Sequence, residues 1–264
     1  VREFESHRFR QITNIMNKVE KFLHFYHIAK TSYQSTLNDY VQDQINEIFK
    51  TDLTQPVREI FYTDVQKFAI LYQKQNNGGG SWFGQDYIKI LKRYNRVFNH
   101  CYEWCSGPGF IGYSILEHGL CNNLFLSDKH LPALSDAECT KKYLPYEIQQ
   151  NVTIQHTDNI ADISDNYKFD LIVSNPPHYK TNQIDTPNDN DKRLGVDLDW
   201  LAHKNFYNNI SKNLSDDAII LMQECSNGSN VEDFREMIIS NGLKITDSFP
   251  CYSPNIYYIE IRPS

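Results

Sequence analysis

No Cys-x-x-Cys pair occurs anywhere in the chain, and its six cysteines (Cys101, Cys105, Cys121, Cys139, Cys225 and Cys251) are scattered. That pattern excludes a zinc knuckle and a disulfide framework, and it points to reduced thiols in a cytoplasmic protein. No run of 18 apolar residues is present, and charged residues follow the Val1 start at once, so neither secretion nor a membrane span is expected. Basic residues are outnumbered, 26 Lys and Arg against 33 Asp and Glu, for a net charge of −7. A protein that coats nucleic acid backbone carries clustered positive charge instead. Metal-ligand spacings are also missing. His24 and His27 stand three apart without a third ligand, and Asp185, Asp189 and Asp191 lack the Gly and bidentate Glu of a calcium loop. No metal is expected, and residues 182–192 read as a mobile loop near the substrate.

What is present is a patterned chain of 264 residues, 40% hydrophobic, with room for one large or two smaller domains. Residues 1–76 read as a small helical domain for substrate recognition. Ile12, Ile15, Met16, Val19, Phe22, Leu23 and Tyr26 share one helical face, and Leu37, Val41, Ile45 and Ile48 share another. Val57, Ile60, Phe61, Val65, Phe68 and Tyr72 predict a third helix behind Thr54 and Pro56. Residues 77–96 form a Gly-rich linker and short helix, in which Trp82 and Phe83 serve as a lid or seal a seam.

From 97 to 264 strands alternate with helices. Strands are predicted at 97–104, 124–127, 152–156, 169–174, 218–223, 244–249 and 256–261, with the clearest helices at 199–214 and 231–241. Such alternation implies an α/β, Rossmann-like seven-stranded sheet with helices on both faces. Only a short connection through Pro250 and Pro254 separates the last two strands, so the final one should run antiparallel.

Glu103-Trp104-Cys105-Ser106-Gly107-Pro108-Gly109-Phe110-Ile111-Gly112 closes the first of these strands. Gly-x-Gly-x-x-Gly lets backbone approach a ligand closely. Pro108 lacks an N–H and suits a pyrophosphate poorly, whereas Glu103 at the strand end suits a cationic amine. S-adenosylmethionine fits both features, because it carries an ammonium and a sulfonium but no phosphate. Asp128 ends the next strand 21 residues after Gly107, placed to accept from both ribose hydroxyls. Asp158, Asn159 and Ile160 follow the third strand, placed for an adenine amino group and ring face. Cys105, Phe110 and Lys129 flank these positions and complete the cofactor set.

Asn175-Pro176-Pro177-His178 ends the fourth strand. Two prolines stop the strand and stiffen the loop, so the Asn175 side-chain oxygen and the Pro176 carbonyl can aim at one point. Two convergent acceptors suit the two hydrogens of a planar NH2 group. Holding both out of plane favours the geometry that attacks a methyl group in line. A flat fourth residue stacks on the substrate; His178 is flat and also takes a proton, and stacking is preferred for a motif built around NH2.

The order of these motifs resembles the class I S-adenosylmethionine-dependent amino-methyltransferases, and most of all the release-factor glutamine methyltransferases. The resemblance covers residues 78–261 by motif and residues 1–76 by size and helical character. It implies a cofactor loop at Glu103, Gly107 and Gly109, ribose at Asp128, and adenine at Asp158 and Asn159. It also implies a substrate amide at Asn175 and Pro176, with Pro177 and His178 completing the catalytic motif. His178 departs from the Tyr, Phe or Trp usual there, and the Arg-Pro stretch of the release-factor enzymes is missing. The expected acceptor is a nitrogen on a protein side chain or small metabolite. A nucleobase is the alternative, followed by a non-catalytic binding subunit and a nicotinamide oxidoreductase.

Overall fold

The computed structural model describes residues 58–65, 67–180, 194–251 and 253–264. The two helices expected before residue 49, the His24 and His27 pair and the loop at 182–192 lie outside the described residues. The chain divides into two compact units, Val1–Arg58 and Glu59–Ser264. The second carries all the described elements.

Its order is β1 (Glu59–Phe61), β2 (Ile70–Tyr72), α1 (Gly80–Leu91), β3 (Phe98–Trp104), α2 (Phe110–Glu117), β4 (Cys121–Asp128), α3 (Leu131–Tyr143), α4 (Tyr146–Gln149) and β5 (Val152–His156). Then come β6 (Phe169–Ser174), α5 (Leu201–Ile210), β7 (Leu214–Cys225), α6 (Val231–Ile239), β8 (Leu243–Pro250) and β9 (Ile256–Pro263). Seven strands form one sheet in the order β5-β4-β3-β6-β7-β9-β8, and β9 is antiparallel to both its neighbours. This is the Rossmann-like seven-stranded sheet that the strand-helix alternation predicts, antiparallel last strand included.

Period-two alternation builds the two faces. Cys101, Leu124, Leu171 and Ile219 pack on one face with Ile88, Leu91, Ile111 and Ala137 of α1, α2 and α3. Their chain neighbours Tyr102, Phe125, Ile172 and Ile220 pack on the other with Phe206, Ile210, Phe234 and Ile238 of α5 and α6. The central strands are buried on both sides, which is why they read as continuous apolar runs.

The third predicted helix does not form in the described residues. Glu59–Phe61 and Ile70–Tyr72 pair antiparallel instead, and Phe61 and Tyr72 set their rings edge-on to Phe110. Between them, the Glu117 carboxylate accepts from the Thr63 hydroxyl and from the amides of Lys67 and Phe68, which gives this backbone a partner no helix would offer. Residues 59–76 therefore belong to the same unit as the sheet, and the boundary falls at Arg58. Within residues 77–96, α1 already starts inside the glycine run, at Gly80, with Gly79 left-handed at φ 90°.

Candidate active site

The chain runs outward from β3 through β4 to β5, then returns so that β6 lies against the other side of β3. The carboxyl ends of β3 and β6 flank this reversal, where α/β sheets open a crevice. Both sequence motifs sit there. Register puts Trp104 beside Ser174, and the Ser174 hydroxyl donates to the Trp104 carbonyl at 2.6 Å, tying the two motif-bearing strand ends together.

A cavity of about 620 Å3 opens at this point. Of the predicted residues, Glu103, Cys105, Gly107, Phe110, Asp128, Lys129, Asp158, Asn175, Pro176, Pro177 and His178 line it. Gly109, Asn159 and Ile160 are not among its lining. Gly109 shapes the turn at φ 85°, Ile160 is buried in the core, and the Asn159 side chain accepts from the Ala161 amide and the Asn205 side chain. Asn159 is thus occupied in capping its own turn.

Glu103 is buried, and its two oxygens accept from the amides of Ile111 (3.3 Å) and Gly112 (2.7 Å) at the start of α2. Only glycine allows this approach, because a Cβ at position 112 would lie 2.7 Å from Glu103 Oε2. Burial pushes the Glu103 carboxyl up to about 8; the two amides pull the other way without overcoming it, and the Asp128 charge adds to the rise. No ion pair engages Glu103 among the described residues. Asp128 accepts from the amides of Gly107 and His130, each at 2.8 Å, and so fixes the glycine turn from below. Burial raises the Cys105 thiol, and the Asp128 charge adds to the rise.

Asn175 Nδ2 donates to the Gly78 carbonyl at 3.2 Å, which leaves Oδ1 buried and without a partner among the described residues. Asn76 shows the same pattern: its Nδ2 donates to Asp136 at 2.7 Å, while Oδ1 is buried and unpartnered. Both residues line the cavity. In the sequence reading, Asn76 closes the helical domain, and Asn77 and Gly78 open the linker. Asp136 holds them in place, accepting also from the Gln73 amide (2.8 Å) and side chain (3.0 Å). Their one signal in the sequence was a polar, glycine-rich stretch with two adjacent asparagines.

His178 Nδ1 lies 3.2 Å from Glu224 Oε2, and Glu224 Oε1 lies 2.9 Å from His203 Nε2. His203 Nδ1 in turn meets Asp197 Oδ2 at 2.7 Å. Burial lowers His203, but Glu224 and Asp197 outweigh it and raise the ring to about 9. Burial likewise raises Glu224, and the facing His203 and His178 overcome it to hold the carboxyl below its usual range. From the sequence, Glu224 after the fifth predicted strand reads either as an acid near the pocket or as a solvated side chain, and His203 and Asp197 carry no signal. Among the described residues no group of His, Cys, Asp and Glu is arranged to hold a metal ion. No described helix is long and apolar enough to cross a membrane.

Residues 90–190, which carry both motifs, match the family model described as methyltransferase small domain. The chain is an S-adenosylmethionine-dependent methyltransferase. S-adenosyl-L-methionine is its cofactor, and the cavity's residues fit it: the buried Glu103 carboxyl, without an ion pair among the described residues, would suit an ammonium, and the unpartnered Asn76 Oδ1 would suit a donor. Similar solved structures include ribosomal protein L11 methylase from Lactobacillus delbrueckii subsp. bulgaricus, at 14% identity over 70% of this chain and 80% of that one, TM-score 0.49. Another is an S-adenosylmethionine-dependent methyltransferase from Clostridium acetobutylicum, at 12% identity over 87% of this chain and 100% of that one, TM-score 0.48. No curated protein matches the chain.

Proposed function

We infer that the enzyme methylates nitrogen, on a glutamine-like amide of a protein side chain or on a small metabolite. One observation carries the reading. Asn175 Oδ1 is buried in the cavity, unpartnered, and fixed in direction by the bond from its own Nδ2 to Gly78. A buried acceptor without a donor costs about 1–3 kcal/mol, which an NH2 group on the substrate recovers. The Pro176 carbonyl takes the second hydrogen, and Pro177 keeps the loop stiff.

Glu103 holds the cofactor's ammonium, Asp128 its ribose hydroxyls and Asp158 its adenine amino group, with Phe110 and the turn at Gly107 and Gly109 shaping the wall. When bound, the cofactor supplies a methyl group on a positively charged sulfur. The protein's part is to align the acceptor nitrogen with that methyl and exclude water. Residues 1–58 serve substrate recognition on this reading, and the free thiols suit work in the cytoplasm.

Tritiated-methyl S-adenosylmethionine, offered with glutamine-containing peptides, primary amines and free nucleosides, tests the proposal. Label on an amide or amine nitrogen is expected. Label on a nucleoside moves the substrate class to nucleic acid, and label on oxygen contradicts the reading.

A further inference from the structure

The Asn-Pro-Pro-His loop is attached to a buried chain of charged groups that a stacking residue does not need. His203, fully buried, is flanked by a carboxylate at each ring nitrogen, Asp197 at 2.7 Å and Glu224 at 2.9 Å. Carboxylates only accept, so both nitrogens donate and the ring is a cation. Phe234 stacks on it with centroids 4.7 Å apart, and Trp104 and Trp200 stand edge-on at 5.5 and 5.2 Å. Asp197 is fixed further by the amides of Ala202 (2.9 Å) and His203 (3.1 Å). The second oxygen of Glu224 takes the Ser229 hydroxyl at 3.2 Å, itself 3.1 Å from the Tyr257 hydroxyl, and then His178 Nδ1.

With His203 supplying its counter-charge, Glu224 is ionised and acts as acceptor towards His178. In its neutral form His178 therefore carries its proton on Nδ1. Nε2 is left as the unprotonated nitrogen of a side chain that lines the cavity, with no hydrogen-bond partner among the described residues. The backbone is placed as closely. A Cβ at Gly228 would meet the His178 carbonyl oxygen at 2.3 Å, so only glycine lets the loop seat against the end of β7. Tyr179 also donates to the Gly195 carbonyl at 2.9 Å and accepts from the Asp197 amide at 2.8 Å, which links the loop to the far end of the charged chain.

We propose that His178 Nε2 receives the proton given up by the methyl-acceptor nitrogen, with Glu224, His203 and Asp197 as positioning residues that set its tautomer and stabilise its charged form. The proposal rests on the N-methylation reading above. The nitrogen lone pair forms the new bond to the methyl carbon, and the sulfur keeps the electrons of the bond that breaks. The nitrogen, now positive, gives up the hydrogen held by the Pro176 carbonyl, and that proton passes to Nε2. The imidazolium so formed donates through Nδ1 to a carboxylate already in place, the logic by which a buried acid supports a catalytic histidine.

The test is long-range 1H–15N NMR of the full chain labelled at histidine nitrogen, without acceptor or cofactor, with His178→Phe to assign the signal by its loss. The expected result is neutral His178 with Nδ1 protonated and Nε2 bare, and His203 protonated on both nitrogens through neutral pH. Neutral His178 with its proton on Nε2 overturns the proposal outright. Glu224→Leu removes the acceptor and is expected to move the His178 proton to Nε2; an unchanged tautomer in that variant removes the positioning role. If the variant does not fold, the wild-type tautomer decides alone. Because the spectrum needs no methyl transfer, its failure is separable from failure of the labelled-methyl assay.

Discussion

The two halves of the cavity are built by opposite means. On the β3 side, carboxylates hold backbone: Glu103 binds the amides that start α2, Asp128 binds those of Gly107 and His130, and no cation answers Glu103. On the β6 side, side chains hold side chains, and charges alternate from Asp197 through His203 and Glu224 to His178. The first half is unsatisfied until a cationic ligand arrives. In the second, the charged chain is paired before any ligand binds, while Asn175 Oδ1 still awaits a donor. Binding energy is thus realised in the cofactor half, while the acceptor half is organised in advance, so that little rearrangement remains for the transfer step.

The sharpest way to break the contrast is to remove the cation that compensates the β6 side. His203→Leu leaves Asp197 and Glu224 buried without a counter-charge, and removing one partner of a buried ionic network costs about 3–5 kcal/mol. Urea unfolding should show a loss of that size at neutral pH. A loss under about 1 kcal/mol would mean the chain is not the charged network described.

Asn175→Ala separates the halves by function. Methyl transfer to the acceptor found in the labelling assay should fall about 10²–10³-fold, the usual effect of removing one preorganised polar contact to the transition state. Affinity for S-adenosylmethionine should stay within a few-fold by calorimetry. Equal losses in both would place Asn175 with the cofactor instead.

Asp128→Ala is the converse. Loss of hydrogen bonds to a charged acceptor, worth about 1.5–3 kcal/mol, raises the dissociation constant of S-adenosylmethionine about tenfold or more. Unchanged affinity in a folded variant would remove Asp128 from the cofactor site.

The same contrast divides what was legible in the sequence. The β3 half is local: Glu103 and the glycines lie within ten residues, and Asp128 follows at the end of the next strand. Motif spacing was enough to place nearly all of it in the cavity, Gly109, Asn159 and Ile160 apart, because strand ends fix where the following residues go. Of the β6 half only Asn175 to His178 could be read. Glu224 stands 46 positions beyond His178 and meets it only because β6 and β7 are neighbours. Asn76 was hidden for the same reason, since its position depends on Asp136, 60 residues away. The failed helix around residues 57–72 has a related cause. Ile60, Phe61, Phe68 and Tyr72 satisfy helical spacing, but the pairing of β1 with β2 and the bonds to Glu117 are tertiary, and they override it.

Glu103 supplies the central test, although the effect is the smallest in energy. Burial raises its carboxyl to about 8, so at pH 6–7 the free protein holds a proton there. An ammonium beside it favours the ionised form, and the cofactor's amine, of ordinary pKa about 7.7–8.0, is already charged in that range. Binding must therefore expel close to one proton, and affinity must rise with pH, by at most about tenfold from 6 to 7, levelling off near 8. Calorimetry of S-adenosylmethionine binding at pH 6.5, in two buffers of different ionisation enthalpy, counts that proton directly. Release of nearly one proton, lost in Glu103→Gln, is the predicted result; binding with no proton released would contradict the placement of the cofactor's ammonium at Glu103.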